Sequence, residues 1–199
     1  MLDQIVRWDQ ELLLWMNSFH SPFWDDIMWY VSLTTTWIPL YLVVLYLCIR
    51  YYKVRTLYIL LFTIILVAMT DLISVHLFKN LIQRLRPSHE PLLEGLVHTV
   101  RNYMGGDYGF VSSHATNMFG LATFLSVIFY RNLRYFTVIS LLLAALISYS
   151  RIYLGVHYPG DVLCGAMLGS AIGFGMGRLF CWFSRRFVHK RQAAEAIEN

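Results

Sequence analysis

Five stretches of the chain are almost wholly apolar, and polar segments separate them. They cover residues 27–49, 56–78, 114–130, 135–150 and 161–183. A helix needs about 20 mostly apolar residues to cross a bilayer, so each stretch predicts a membrane-spanning helix, the third and fourth being short. We therefore expect an all-α fold: a polytopic membrane helix bundle of about five to six transmembrane helices, forming a single domain over residues 1–199.

Three further segments flank or connect the apolar stretches. In residues 1–20, Ile5, Trp8, Leu12 and Trp15 recur at helical spacing, which predicts an amphipathic helix lying in the membrane interface. Acidic residues from position 3 onward argue against a cleavable signal peptide. The connection 88–111 is too long for a plain link and predicts a lid on the extracytoplasmic side. Residues 186–199 form a polar tail, expected on the cytoplasmic side.

The composition agrees with a membrane protein. Apolar residues make up 57% of the chain and charged residues 14%, against about 25% charged residues in soluble domains. The mean hydropathy is +0.52. A net charge of +4 suits anionic lipids but is too small and scattered for nucleic acid. The three cysteines show neither metal-ligand spacing nor a disulfide framework.

Basic residues in the connections predict the orientation of the bundle. Ten of the sixteen lysine and arginine residues would lie on one side of the membrane. The positive-inside rule predicts that this side is cytoplasmic. These ten residues are Arg50, Lys53, Arg55, Arg131, Arg134, Arg178, Arg185, Arg186, Lys190 and Arg191. Six remain on the outer side without a topological reason: Arg7, Lys79, Arg84, Arg86, Arg101 and Arg151. Several of these six therefore need another role.

Lys79 and Arg86 are candidates for binding an anion. They are seven residues apart, so they share one helical face if the helix continues until Pro87 ends it. Two cations on one face repel unless an anion lies between them, and phosphate suits the arginine fork. Taken alone, the pair also fits cations that snorkel from the end of a span.

Two other outer ends carry polar groups at the same depth. Ser112 and Ser113 are N-cap candidates for the third span, with His114 in its first turn. His157 and Asp161 are four apart, so in a helical segment the carboxylate would orient one imidazole nitrogen and leave the other free to attack. Arg151, at the end of the fourth span, would add a third cation. A cationic pocket with two histidines is typical of phosphoryl transfer.

Three motifs resemble the signature of a known family. Lys79-x6-Arg86-Pro87, Ser112-Ser113-His114 and Ser150-Arg151-x5-His157-x3-Asp161 resemble the three-part signature of the type 2 phosphatidic acid phosphatase superfamily. That superfamily includes lipid phosphate phosphatases and vanadium haloperoxidases. The second motif departs from the usual Pro-Ser-Gly-His, because Val111 replaces proline and Ser113 replaces glycine. Ser113 can still offer its backbone N–H if the turn does not require a positive φ.

The resemblance implies a role for each matching residue. His157 would be the nucleophile that forms a phosphohistidine, and Asp161 would orient it. His114 would be the general acid for the leaving group and then the base for water. The phosphate oxygens would be held by Lys79, Arg86, Arg151, Ser112 and Ser113. No metal or other cofactor would be needed.

The sequence thus predicts a metal-independent lipid phosphatase of the bacterial inner membrane, with its site on the periplasmic or extracellular side. Its partner would be a phosphorylated membrane lipid: undecaprenyl diphosphate, phosphatidylglycerophosphate, phosphatidic acid or lipid A. The alternatives are a non-catalytic anionic-lipid binding or transport protein and a vanadate-dependent haloperoxidase. The oligomeric state is left open.

Four other features carry narrower expectations. Asp71, inside the second span, predicts either a buried hydrogen bond with the Thr34–Thr36 run or a supporting role beside the site. Glycines recur every fourth residue at 165, 169, 173 and 177, which favours close helix packing within the bundle over a dimer face. His89 and His98 are expected to be solvated.

Overall fold

The computed structural model describes the backbone of residues 2–198 and the side chains of residues 3–186. This part of the chain is helical, and it contains no strand beyond one bridge between Leu85 and Tyr108. Its α-helices are α1 (Leu2–Asn17), α2 (Pro22–Ser32), α3 (Ile38–Tyr52), α4 (Thr56–Leu72), α5 (Asn80–Ile82), α6 (Ser113–Phe129), α7 (Phe136–Tyr153) and α8 (Pro159–Glu198). The predicted all-α fold is confirmed for these residues.

Three helical stretches among the described residues are long and apolar enough to cross a membrane. They are Thr34–Ile82, which contains α3, α4 and α5, then Phe136–Tyr153, and Pro159–Arg186. The first span was expected to begin at residue 27, which is wrong. The chain becomes extended at Leu33, and a 3-10 turn over Thr34–Trp37 leads into α3. The number of crossings, five to six, stays a prediction.

The segment between α4 and the third span also differs from the prediction. The chain winds as a π-helix over Ile73–Lys79, and α5 ends at Ile82 because Gln83 is left-handed, with a φ of 50°. Pro87 therefore does not end this helix but begins a separate 3-10 turn, Pro87–His89. Lys79 and Arg86 consequently do not share a helical face.

Helices α6 and α8 form the centre of the bundle. A Cβ added to Gly169 would lie 2.1 Å from the Thr116 carbonyl oxygen, and one added to Gly173 would lie 2.2 Å from that of Gly120. Only glycine allows the two backbones to come so close. The predicted use of the glycine stripe for packing inside the bundle is confirmed. Farther along, Phe124 belongs to an apolar core that α4 and α8 also supply.

The helices before the first span pack on the loops at one end of the bundle. The Asn17 side chain, at the end of α1, donates to Tyr153 O at 2.8 Å and accepts from the His98 N–H at 2.7 Å. The ring of His98 stacks on His20 and contacts the carboxylate of Asp25 at 3.0 Å. The expectation that His98 is solvated is therefore wrong.

The remaining expectations on segments have mixed outcomes. The connection 88–111 contains 3-10 turns at Pro91–Leu93 and Val100–Asn102, and its action as a lid stays a prediction. Asp71 is exposed, so a buried structural hydrogen bond is wrong for it. The backbone of the predicted tail 186–199 continues α8 to Glu198, while its side chains beyond Arg186 lie outside the described residues.

Candidate active site

His157 lies in the short connection between α7 and α8 and is almost completely buried. Helix α7 ends at Tyr153, and the chain turns at Gly155, whose φ of 70° favours glycine. Pro159 then begins α8, as predicted, and places Asp161 in the first turn of that helix. The Asp161 Oδ2 atom lies 3.5 Å from His157 Nδ1, so the residues four apart do meet.

The Asp161 carboxylate is fully buried and is held on both oxygens. Oδ2 accepts the Tyr158 backbone N–H at 3.0 Å, and Oδ1 accepts from Arg84 Nη1 at 2.9 Å. Arg84 also pairs with Asp9 of α1 at 2.8 Å, and its guanidinium carbon lies 3.8 Å from the centre of the Tyr158 ring. These contacts fix the carboxylate beside the His157 ring.

The other ring nitrogen of His157 meets a cation. Arg86 Nη1 lies 3.1 Å from His157 Nε2 and also 3.1 Å from the Val156 carbonyl oxygen. Since a guanidinium only donates, Nε2 is the unprotonated nitrogen and the proton sits on Nδ1, towards Asp161. Burial, together with the charges of Arg86, Arg151 and Lys79, holds the pKa of His157 well below its ordinary value. The imidazole is therefore neutral, and the lone pair on Nε2 accepts the N–H of Arg86.

Arg151 reaches the same region from the end of α7. It is 4% exposed, and its guanidinium donates to Ser32 Oγ and, at 3.1 Å, to the Tyr103 hydroxyl. The Nε–H groups of Arg151 and of Arg86 are buried and have no protein partner. Buried cationic donors of this kind suit an oxyanion, which can accept several charge-assisted hydrogen bonds at once.

Lys79 and His114 lie within electrostatic range of this group. The charge of Lys79, in the π-helical segment, interacts with those of Arg86, Arg151 and Asp161. His114, in the first turn of α6, interacts electrostatically with Arg151, His157, Arg86 and Lys79. The structure therefore gathers the predicted cations and both histidines at one end of the bundle, although Arg86 arrives there along an extended segment and not on a helix.

The start of α6 is tied to the start of α8. Ser112 is the N-cap of α6, as predicted: its hydroxyl accepts the Ala115 N–H, and its own N–H donates to the Asp161 carbonyl oxygen at 3.1 Å. Ser113 has no positive φ, so a serine fits where the family usually has glycine. Its hydroxyl accepts from Ser74 Oγ at 2.9 Å. The predicted phosphate contact of Ser113 is thus left to its backbone N–H.

The sequence analysis did not predict four residues that support the site. Arg84 holds Asp161 and is itself paired with Asp9, while Ser32 and Tyr103 accept hydrogen bonds from Arg151. Arg84 had a partial signal, because it is one of the outer-side basic residues without a topological role. The other three come from distant segments, and their residue types alone give no signal.

Comparison with known families agrees with this geometry. The family model described as PAP2 superfamily matches residues 56–192, which include all the predicted site residues. The chain belongs to the PAP2 superfamily, so the resemblance seen in its motifs is confirmed.

Two curated relatives cover almost the whole chain. A lipid A 4'-phosphatase of Bacteroides thetaiotaomicron is 36% identical over 196 residues, which are 97% of this chain and 84% of the relative. A lipid A 4'-phosphatase of Porphyromonas gingivalis is 33% identical over 190 residues, 94% of this chain and 79% of the relative.

Two crystal structures share the fold. The transmembrane PAP2-type phosphatidylglycerolphosphate phosphatase of Bacillus subtilis aligns with a TM-score of 0.66 at 22% identity, covering 89% of this chain and 86% of that one. Aquifex aeolicus LpxE aligns with a TM-score of 0.61 at 24% identity, covering 84% of this chain and 93% of that one. An integral membrane fold of the PAP2 type is therefore established.

Proposed function

We propose that this protein is a membrane lipid phosphatase that removes a phosphate group from a lipid through a phosphohistidine on His157. The observation that carries the proposal is the His157 ring itself, with Asp161 beside Nδ1 and the lone pair of Nε2 directed at Arg86. The cations attract the phosphate without protonating the ring, and once Arg86 donates to a phosphate oxygen instead of to Nε2, the neutral imidazole can attack phosphorus.

The reaction would proceed in two balanced steps. In the first, which requires His114 in its protonated form, Nε2 of His157 forms a bond to phosphorus, the bond from phosphorus to the lipid oxygen breaks, and His114 gives that oxygen its proton. In the second, His114 takes a proton from water, whose oxygen bonds to phosphorus as the nitrogen–phosphorus bond breaks. Inorganic phosphate leaves, and His157 is restored.

Lys79, Arg86 and Arg151 would neutralise the phosphate oxygens, with the N–H groups at the start of α6 beside them. We assign Asp161 to orientation, because its contacts hold the carboxylate in place while it faces Nδ1. These cations would replace a metal ion in stabilising the transition state, so chelators should leave activity intact.

Lipid A is the substrate we place first, in the form of its phosphate monoester. Two relatives that cover nearly the whole chain are named lipid A 4'-phosphatase. Undecaprenyl diphosphate, phosphatidylglycerophosphate and phosphatidic acid are the other lipids to compare. The charge distribution of the connections supports a site on the periplasmic or extracellular side.

The test is phosphate release from these four lipids by the purified protein. We expect the highest kcat/KM on lipid A and a loss of at least about a thousandfold in His157→Ala. His76→Ala, at an exposed histidine, is the matched control and should keep full activity. Equal release by wild type and His157→Ala would refute the nucleophile. Lipid binding without release by the wild type would favour a binding or transport protein, and halide oxidation after vanadate addition would favour a haloperoxidase.

A further inference from the structure

Tyr103 brings the connection 88–111 to the cations of the active site. It directly follows the 3-10 turn Val100–Asn102. Two residues later, a Cβ added to Gly105 would lie 3.0 Å from Arg86 Nη1, so the chain passes directly beside the Arg86 guanidinium. The connection therefore lies against the active site at the stretch that carries Tyr103.

The Tyr103 hydroxyl is hydrogen-bonded to Arg151. Arg151 Nη2 lies 3.1 Å from the hydroxyl oxygen, and the guanidinium carbon lies 5.3 Å from the centre of the Tyr103 ring. Because a guanidinium only donates, the tyrosine oxygen accepts this bond and keeps its own hydrogen available. Among the described residues, that hydrogen has no acceptor. The hydroxyl can therefore donate to a ligand without losing its bond to Arg151.

Arg86 also interacts with this hydroxyl. Burial alone would raise the pKa of Tyr103, but the hydrogen bond and charge of Arg151, together with the charge of Arg86, outweigh burial and lower it. The hydroxyl thus lies close to both arginines that would hold the phosphate oxygens. An O–H group that donates to an anionic oxygen forms a charge-assisted bond, which is stronger than a bond between neutral groups.

Packing holds the Tyr103 ring in place. The ring lies edge-on to Trp29 of α2, with ring centroids 5.6 Å apart and an interplanar angle of 83°. Both rings pack against a buried apolar cluster that includes Val100. Next in the chain before Asn102, Arg101 pairs with Asp26 of α2 at 2.8 Å, which ties the same stretch to α2. A donor that is already oriented needs no rearrangement when the phosphate binds.

We propose that Tyr103 is a phosphate-binding residue, whose hydroxyl donates to an oxygen of the lipid phosphate while it accepts from Arg151. The connection 88–111 would then complete the phosphate site with a neutral donor from outside the three motifs. The proposal rests on the proposed lipid phosphatase function and adds a residue to its site. No proton is transferred by Tyr103, because the hydroxyl keeps its hydrogen through both steps.

Removal of the hydroxyl tests this contact. Tyr103→Phe keeps the ring beside Trp29 and should weaken the binding of inorganic phosphate about tenfold to a hundredfold, the effect of one hydrogen bond to a charged group. The dissociation constant is measured by isothermal titration calorimetry on the full-length protein in detergent. The value of kcat/KM for lipid A should fall by a similar factor.

Tyr108→Phe is the matched control. Tyr108 lies in the same connection, and its hydroxyl forms no hydrogen bond with Arg86 or Arg151. Loss of this hydroxyl should leave phosphate binding and kcat/KM within about twofold of the wild type. An equal loss of phosphate binding in both variants would contradict a specific contact of Tyr103.

A second background separates contact with phosphate from positioning of Arg151. Arg151→Lys keeps the positive charge but removes the guanidinium N–H that reaches Tyr103. If the hydroxyl contacts phosphate, Tyr103→Phe should still weaken phosphate binding at least about fivefold in this background. If Tyr103→Phe has no effect there, Tyr103 acts only by holding Arg151 and the proposal is wrong.

The outcomes separate this contact from the proposed function. If Tyr103→Phe binds phosphate as tightly as the wild type, the Tyr103 contact is refuted, while phosphate release from lipid by the wild type still supports the phosphatase. If Tyr103→Phe binds phosphate more weakly but the wild type releases none from any of the four lipids, the contact is supported and the phosphatase is refuted. If the wild type neither binds nor releases phosphate, both proposals fail.

Discussion

The two ring nitrogens of His157 face opposite charges. Asp161 lies 3.5 Å from Nδ1, and Arg86 lies 3.1 Å from Nε2. The carboxylate favours a proton on Nδ1, and the guanidinium requires a lone pair on Nε2. This arrangement selects one neutral tautomer, which is the form that can attack phosphorus. The spacing of four residues predicted the first contact, but only the fold could place Arg86.

The low pKa of His157 predicts a dependence of stability on pH. Burial and neighbouring cations hold the folded pKa well below the unfolded value of about 6.5, so the unfolded chain binds the proton more readily. The resulting stability is complete above about pH 6.5 and is lost as the pH falls below it. Between about pH 7.5 and pH 5.5, the wild type should therefore lose up to about 1.4 kcal/mol more than His157→Asn.

The measurement is the thermal unfolding of the detergent-solubilised protein, without phosphate, at both pH values. The melting temperature of the wild type should fall more than that of His157→Asn. Equal falls would mean that His157 is not held neutral by the fold.

At the scale of helices, the sequence predicted those boundaries that a single residue imposes on the backbone beside it. Ser112 caps α6 and Pro159 begins α8, because a capping hydroxyl and a proline act on the neighbouring backbone alone. The end of α5 could not be predicted, since Gln83 is left-handed without the glycine that usually marks such a turn. The break at Leu33 lies between Ser32 and the run Thr34–Thr36, and these hydroxyl residues do not by themselves end a membrane helix.

Helix α1 reaches the active site through one ion-pair chain. Asp9 accepts from Arg84 at 2.8 Å and from the Gly160 N–H at 2.7 Å, and Arg84 holds Asp161. Pairing between segments so far apart in sequence depends on tertiary packing, which no local pattern of residues reveals. The helix predicted to lie in the interface thus also braces the start of α8.

Breaking the ion pairs between Asp9, Arg84 and Asp161 should lower kcat more than it changes KM. Arg84→Gln should reduce kcat about tenfold to a hundredfold with KM within about twofold, because a displaced Asp161 misorients His157. Arg84→Lys should restore part of the loss. Arg101→Gln is the matched control, since Arg101 pairs with Asp26 of α2 at 2.8 Å on an exposed surface. A rise in KM alone for Arg84→Gln would contradict a positioning role.

Across the whole molecule, the site and the basic connections lie at opposite ends of the bundle. Lys53–Arg55 precede α4 and residues 130–135 follow α6, whereas the active-site residues follow α4 and precede α6. The apolar pattern predicted the helical bundle because the bilayer imposes span length on the sequence. The fold does not define the orientation of the bundle in the membrane. The orientation is predicted from the distribution of basic residues.

Labelling of single cysteines tests that orientation. The background variant has Cys48, Cys164 and Cys181 replaced by serine. In it, Leu92→Cys should react with a membrane-impermeant thiol reagent that is added to cells with a permeabilised outer membrane. Arg131→Cys should react only after lysis. Both positions are exposed, so access depends on the side of the membrane. The reverse pattern would place the site at the cytoplasmic leaflet.

The most direct test of the account is to trap the phosphorylated enzyme. Wild-type protein is mixed with lipid labelled in its phosphate, quenched in alkali, where phosphohistidine survives, and digested for mass spectrometry. We predict that the label is found on the peptide containing His157 and that His157→Ala carries none. A label on His114, or rapid phosphate release by the wild type with no labelled peptide at any quench time, would contradict the central claim.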